Sequence, residues 1–261
     1  MKKKQIAIFV ILIAVVVAGF WWLKRDDSHK TTSSTTNKNS SQSATDTNSG
    51  TTAAGFDKSK YSLTDPTSIW VIANKQRPLN PKTYAPSDLV VPNIPLRSNI
   101  TSTEKQVRQP MAMALETMVA AAKTEGLSLN LQSGYRSYSF QVSLYNRYVQ
   151  QQGQAVADSQ SARPGYSEHQ TGLAADLGSV SHPECDVEAC FGTTLEGKWL
   201  AANAYKYGFI IRYPQGLQNI TGYIYEPWHV RYIGVDLATE LHGTGVQTLE
   251  QFFGTGAAAD Y

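Results

Sequence analysis

The chain has 261 residues, of which 41% are hydrophobic and 17% charged, with a formal net charge of +2. That length and apolar share suffice for one substantial core. The small net charge, part of it gathered in Lys2–Lys4, offers no basic face of the kind that binds nucleic acid, so a nucleic-acid partner is not expected.

Lys2, Lys3 and Lys4 precede an apolar run from Ile6 to Leu23, which is followed by Lys24 and Arg25. A run of about 18 residues is near the lower limit for a bilayer-spanning helix and exceeds the roughly 7–15 residues of a signal-peptide core. Residues 1–27 are therefore expected to be an uncleaved membrane anchor with a cytoplasmic N-terminus and with Trp21 and Trp22 in the interfacial belt. The rest of the chain would then lie outside the cytoplasmic membrane. Cleavage after Ala18 and Gly19, releasing a secreted protein, is the alternative. Residues 28–56 are Ser, Thr, Asn, Gln, Ala and Gly with almost no large apolar side chain; such a segment cannot offset its ordering entropy and is expected to be a disordered spacer.

In the remaining domain, 57–261, Ile69–Ile72 reads as a short strand and a Pro-rich loop follows. Glu104–Glu125 carries Val107, Met111, Leu115, Met118 and Ala122 at helical spacing and stops at Gly126. Pro110 either kinks that helix or marks its first turn. Leu127–Leu131 alternates as a strand. Ser137 or Ser139 caps a second helix with Phe140, Leu144, Tyr145 and Tyr148 as its buried stripe, up to about Gly153. A strand at Leu173–Leu177 comes next, then a helix from Leu195 to Tyr207 ended by Gly208. Strands follow at Phe209–Arg212, Tyr223–Tyr225 and His229–Ile233, and a last helix covers Gly234–Leu241. This order implies an α+β domain with helices packed on one face of a small, largely antiparallel sheet. Cys185 and Cys190 lie in a loop-like stretch and are either a disulfide or two free thiols.

Of five histidines, His29 falls in the spacer, and His182 and His242 have no acidic or histidine partner at useful spacing. His169 sits in Ser167-Glu168-His169-Gln170-Thr171-Gly172-Leu173-Ala174-Ala175-Asp176, and His229 in Glu226-Pro227-Trp228-His229. A catalytic zinc site needs about three imidazole or carboxylate ligands and one open position, and His169, Asp176 and His229 supply that set. A turn at Gly172 would fold Asp176 back beside His169. On a regular strand Glu226 and His229 point to opposite faces, so a break at Pro227 is required for both to face one cavity.

These two motifs resemble those of the VanY-type D-alanyl-D-alanine carboxypeptidases, within the wider group of zinc peptidases that includes VanX, lysostaphin-like enzymes and the hedgehog signalling domain. Ser167, His169, Gly172, Ala174 and Asp176 fill the pattern Ser-x-His-x-x-Gly-x-Ala-x-Asp, and Glu226 and His229 fill Glu-x-x-His. The resemblance extends over Gln132–Ser137, Asn74–Leu79 and Ile220–Tyr223. It implies one zinc ion per chain on His169, Asp176 and His229, with Glu226 as general base and Arg136 near the substrate carbonyl.

The implied reaction is removal of the terminal D-alanine from peptidoglycan stem peptides. Gln132, Tyr135, Ser167 and Trp228 are candidate substrate contacts; Ser167 alternatively only shapes the turn before His169, and Trp228, with Tyr213, Tyr223 and Tyr225, alternatively belongs to the core. Three other activities stay open: an L,D-carboxypeptidase acting on tetrapeptide stems, an endopeptidase acting on cross-links, and a non-catalytic wall-binding module of the same fold.

Overall fold

The structure is a computed structural model and describes residues 55–261; the expected anchor and almost all of the expected spacer lie outside the described residues. The core elements are β1 (Leu89–Val90), β2 (Val107–Arg108), α1 (Gln109–Thr124), β3 (Leu129–Ser133), α2 (Tyr138–Gln152), α3 (Gln154–Gln160) and β4 (Ala174–Ser179). They continue as α4 (Leu195–Asn203), β5 (Phe209–Tyr213), α5 (Gln218–Thr221), β6 (Glu226–Tyr232), α6 (Val235–Thr244) and α7 (Leu249–Phe253). Among the described residues no helix is long and apolar enough to cross a membrane.

The central sheet is antiparallel with strand order β3-β4-β6-β5, and β1 and β2 form a separate antiparallel pair. Successive side chains alternate across a strand, and here the alternation divides two chemistries. Leu129, Leu131, Ala175, Leu177, Phe209 and Val230 enter a core with Met111, Leu115 and Met118 of α1 and Trp199 and Leu200 of α4. The residues between them include Asp176, Arg212, His229 and Arg231, all buried. A second apolar cluster joins Trp70 and Ile72 to Ile233, Leu237 and Leu241 and to Leu249 and Phe252 of α7. The α+β reading, with helices against a small antiparallel sheet, is the architecture observed.

Several elements differ from expectation. The first helix begins at Gln109 because Val107 and Arg108 pair with β1, and Pro110 occupies its first turn, where a missing N–H costs nothing. Ile69–Ile72 is not a strand. Trp70, Val71 and Ile72 are buried and Ile69 half-buried, but the carbonyls of Ile69 and Val71 accept from the Arg231 guanidinium at 3.1 and 2.8 Å instead of from a neighbouring strand. Tyr223–Tyr225 is a connection after Gly222 (φ 84) rather than a strand, and the strand starts at Glu226. Folded packing already includes Phe56, the last residue of the expected spacer, which stacks on Trp70 with ring centroids 5.6 Å apart.

Ser137 is the cap of α2, accepting from the Phe140 N–H at 3.2 Å. The stripe on that helix is only partly core, since Phe140, Leu144 and Tyr148 are half-buried and line a cleft. After α6 the chain runs on through α7, which the periodicity did not announce. Cys185 and Cys190 form a disulfide.

Candidate active site

The cleft, about 290 Å³, opens beside α2 and has His169, Asp176 and His229 in its wall, together with Arg136, Ser167, Glu226 and Trp228. Asp176 on β4 is the register partner of His229 on β6. His169 comes from the 3-10 turn Glu168–Thr171, which Gly172 ends in the left-handed region (φ 68) before β4 begins. The turn at Gly172 thus brings His169 beside Asp176 as the spacing requires.

The bend needed at Pro227 is also present. Ile211 pairs with Val230 but Tyr213 pairs with Glu226, so β6 carries extra residues at Pro227–His229. A bulge of this kind re-aims side chains, and Glu226 Oε2 comes to 3.5 Å from His229 Nδ1. A second irregularity, between Leu131 and Ser133, falls on β3 opposite Asp176.

One ligand-type atom from each of His169, Asp176 and His229 lies within 4.8 Å of the others, and all three residues are buried. Asp176 Oδ1 stands 3.4 Å from His169 Nε2 and 3.3 Å from His229 Nδ1. The far side of each group is occupied. His169 Nδ1 lies 2.7 Å from the Gly134 carbonyl, and Asp176 Oδ2 accepts from Arg136 Nη2. His229 Nε2 lies 3.6 Å from Glu168 Oε2. Two imidazoles and a carboxylate converge on one point, with the outer atoms of His169 and Asp176 hydrogen-bonded and that of His229 facing Glu168, and so fit the donor set of a tetrahedral zinc site with an open position.

Charge at the site is set by burial and by close neighbours. Burial lifts the Glu226 carboxyl to about 8 despite the opposing pull of His229. Burial alone would lower His229, but Asp176 and Glu168 outweigh it and raise the imidazole to about 9. Burial pushes His169 down, with Arg136 adding to the effect. Asp176 is held well below the usual carboxylate range because His169 and Arg136 outweigh its desolvation. An anionic Asp176 and a neutral His169 thus stand beside an imidazole and a carboxyl whose pKa values are both raised, the kind of perturbed cluster found at functional sites.

The remaining sequence candidates separate. Arg136 lines the cleft, with Nε donating to Ser133 Oγ at 2.9 Å. Ser167 is buried at the start of the 3-10 turn, and its carbonyl accepts from the Gln170 N–H at 3.2 Å, so it shapes the turn as well as facing the cleft. Gln132 touches the cleft, but its Nε2 is committed to Asn130 Oδ1 at 2.8 Å and Asp186 Oδ2 at 2.7 Å. Trp228 belongs both to the core and to the cleft wall. Tyr135 is buried and is not among the residues that line the cleft; its N–H donates to the Gln106 carbonyl.

Sequence reasoning missed Glu168, Arg212, Arg231 and Glu250. Arg212 Nε and Arg231 Nη1 both donate to Glu168 Oε1, at 2.8 and 2.9 Å, and Arg212 Nη1 and Nη2 donate to Glu250 at 3.0 and 2.6 Å. The available signal was an arginine inside each of two strands, in Phe209–Tyr213 and in the run Val230–Ile233, whose other residues are apolar or aromatic, which demands a buried anion.

Residues 104–235 match the family described as VanY: D-alanyl-D-alanine carboxypeptidase. YodJ of Bacillus subtilis (strain 168), which bears the name of a carboxypeptidase, is 44% identical over 191 residues, covering 73% of this chain and 69% of YodJ. The solved LdcB LD-carboxypeptidase shares 44% identity with a TM-score of 0.68, covering 72% of this chain and 87% of LdcB. A variant of the vancomycin resistance D,D-pentapeptidase VanY, solved in complex with Zn(II), shares 30% identity with a TM-score of 0.56, covering 70% of this chain and 97% of its own. Motifs, fold and sequence likeness agree: the chain belongs to the VanY family of D-alanyl-D-alanine carboxypeptidases.

Proposed function

We propose that the chain is a zinc-dependent carboxypeptidase that removes the terminal D-alanine from peptidoglycan stem peptides. The observation that carries this reading is the buried convergence of His169, Asp176 and His229 with Glu226 beside them in a cleft. One zinc ion per chain, held by those three residues, would supply a Lewis acid that polarises the scissile carbonyl and acidifies water.

The chain's own groups supply the rest. Glu226, buried in the cleft with Oε2 3.5 Å from His229 Nδ1, takes the proton from water and returns it to the departing D-alanine amine. Arg136 is held by Asp176 and Ser133 and keeps further N–H donors for the carbonyl oxygen that gains charge. Phe140, Leu144 and Tyr148 of α2 give the stem peptide an apolar wall. The intact Glu226 speaks against a wall-binding module, which needs no base beside the metal.

Two stem lengths are consistent with this chemistry. A pentapeptide ending in D-alanyl-D-alanine is the substrate the family description supports. The tetrapeptide, cut by an L,D-carboxypeptidase, is favoured by the greater likeness to LdcB, 44% identity against 30% for the D,D-pentapeptidase VanY. Incubating the purified chain with each stem, with and without a chelator, and weighing the products distinguishes them. Chelator-sensitive loss of one alanine from the pentapeptide establishes the D,D activity, and loss only from the tetrapeptide establishes the L,D activity. No cleavage of either by zinc-loaded protein refutes the carboxypeptidase reading.

Residues 1–27 are proposed to anchor the enzyme in the cytoplasmic membrane with the catalytic domain outside, on the strength of Lys2–Lys4 and the apolar run that follows. Residues 28–56 then serve as a spacer through the wall. Protease added to intact cells should shave the domain; a protected domain would refute this orientation.

A further inference from the structure

His169 and His229 approach the same point through opposite ring nitrogens. His169 directs Nε2 toward Asp176 Oδ1, and its Nδ1 is engaged by the Gly134 carbonyl. His229 directs Nδ1 toward Asp176 Oδ1, so its Nε2 must carry a proton when Nδ1 offers a lone pair. That N–H faces the buried Glu168 Oε2 at 3.6 Å, and among the described residues neither atom has a hydrogen-bond partner.

Glu168 is not free to turn away. Its side chain is fully buried, and Oε1 is shared by Arg212 Nε and Arg231 Nη1. The other nitrogens of both guanidinium groups are used as well. Arg212 spends Nη1 and Nη2 on Glu250 of α7, and Arg231 spends Nε on the Tyr232 carbonyl and Nη2 on those of Ile69 and Val71. Glu250 Oε1 also accepts from Asn74 Nδ2 at 2.9 Å. Two acids balance two arginines, and moving Glu168 would orphan a buried cation, which is costly.

We infer that Glu168 is a positioning residue that fixes the Nε2–H tautomer of His229 and so presents the Nδ1 lone pair to the metal. It does not touch the reacting atoms. The chemistry matches the carboxylate–histidine pairing that orients metal ligands elsewhere, and here the carboxylate is held through Oε1 by a charge-balanced network that reaches α7, beyond the 104–235 segment that matches the family.

The inference predicts an asymmetry between two conservative variants. In Glu168→Gln, the amide oxygen is needed between the two arginines, which leaves the NH2 group facing His229 Nε2. Nε2 then has to accept, and the proton moves to Nδ1, where it blocks metal binding. In Glu250→Gln an oxygen still faces Arg212, and no group at His229 changes. Zinc affinity by competition with a chromophoric chelator should fall by about 10- to 100-fold in Glu168→Gln and stay within about threefold of the parent in Glu250→Gln, even where both lower the Tm. Affinity that follows Tm equally in the two variants, or is unchanged in Glu168→Gln, overturns the proposal.

Nitrogen-15 NMR of the zinc-loaded parent reads the same point without any substitution. His229 should coordinate through Nδ1 with Nε2 protonated, and His169 the reverse; coordination of His229 through Nε2 would overturn it. The proposal rests on the metal site and not on which stem is cut. A parent protein that takes up no zinc would instead refute the metal reading itself, a distinguishable result.

Discussion

Asp176 and His229 are direct register partners across β4 and β6, so two of the three converging groups are held by the sheet itself. The third is not. His169 hangs from a 3-10 turn whose exit depends on Gly172 at φ 68, and a Cβ there would lie 2.8 Å from Arg108 Cγ and 3.1 Å from Leu89 Cδ2. Arg108 cannot easily yield, because its Nε is bonded to both oxygens of Asp88, at 2.8 and 3.0 Å.

Gly172→Ala is therefore expected to destabilise the domain by about 1–3 kcal/mol, combining left-handed backbone strain with overpacking. It should also weaken zinc binding, because His169 shifts while the Asp176–His229 pair stays in place. Thermal denaturation in chelator and chelator competition measure the two effects separately. Loss of stability with zinc affinity intact would mean that the turn does not set the His169 position.

Glu226 should carry a stability cost that appears with pH. Its folded value of about 8 lies above the ordinary carboxyl range, so between roughly pH 4.5 and 8 the folded, metal-free protein binds more protons than the unfolded chain. Stability then falls as pH rises through that window. Glu226→Gln removes the effect: without metal it should match the parent near pH 4.5 and exceed it at pH 8, by roughly 4 kcal/mol. Turnover should fall by about 10²–10⁴-fold with zinc retained. Denaturant titrations in chelator at the two pH values check the first half; a gap that does not widen with pH would remove Glu226 as the buried carboxyl responsible.

Zinc uptake should release protons. His229, raised to about 9 by Asp176 and Glu168 against the effect of burial, is an imidazolium at pH 7 in the metal-free protein, and a ligand must be deprotonated to bind. Calorimetry in buffers of different ionisation enthalpy is expected to show release of at least about one proton per zinc at pH 7, that of His229 together with the one Glu226 gives up beside the ion, with affinity rising at least about tenfold per pH unit until near pH 9. Uptake with no proton release would mean that His229 is already neutral.

Much of this site was legible in the sequence because short-range chemistry fixes it. His169, Gly172 and Asp176 lie within one turn and one strand, and Pro227 announced the distortion that turns Glu226 and His229 to one side. What stayed hidden depends on pairings distant in sequence. Glu168 looks like an ordinary motif neighbour until Arg212, Arg231 and Glu250 arrive from three other elements. Phe140, Leu144 and Tyr148 sit on a regular apolar stripe, and periodicity alone cannot tell a core face from the wall of a cleft. Ile69–Ile72 has strand composition, yet an arginine side chain takes the carbonyls a strand would have used.

The disulfide between Cys185 and Cys190 closes a small loop on the rim of the cleft. Inside it, Asp186 accepts from Gln132 Nε2 at 2.7 Å and from the Ser179 N–H at 3.0 Å. Val187, 43% exposed, lines the cleft at φ 58, a conformation rare for a β-branched residue. The closed loop thus holds Val187 at the mouth of the cleft at a steric cost. Removing the crosslink returns about 2 kcal/mol of loop entropy to the unfolded chain and frees Val187 to leave its position. Neither His169, Asp176, His229 nor Glu226 is on the loop, so the Cys185→Ser, Cys190→Ser double variant should show a KM raised several-fold with kcat little changed. A fall in kcat at constant KM would place the loop's influence on the reacting groups, and unchanged kinetics would mean that Val187 lies outside the path of the stem peptide.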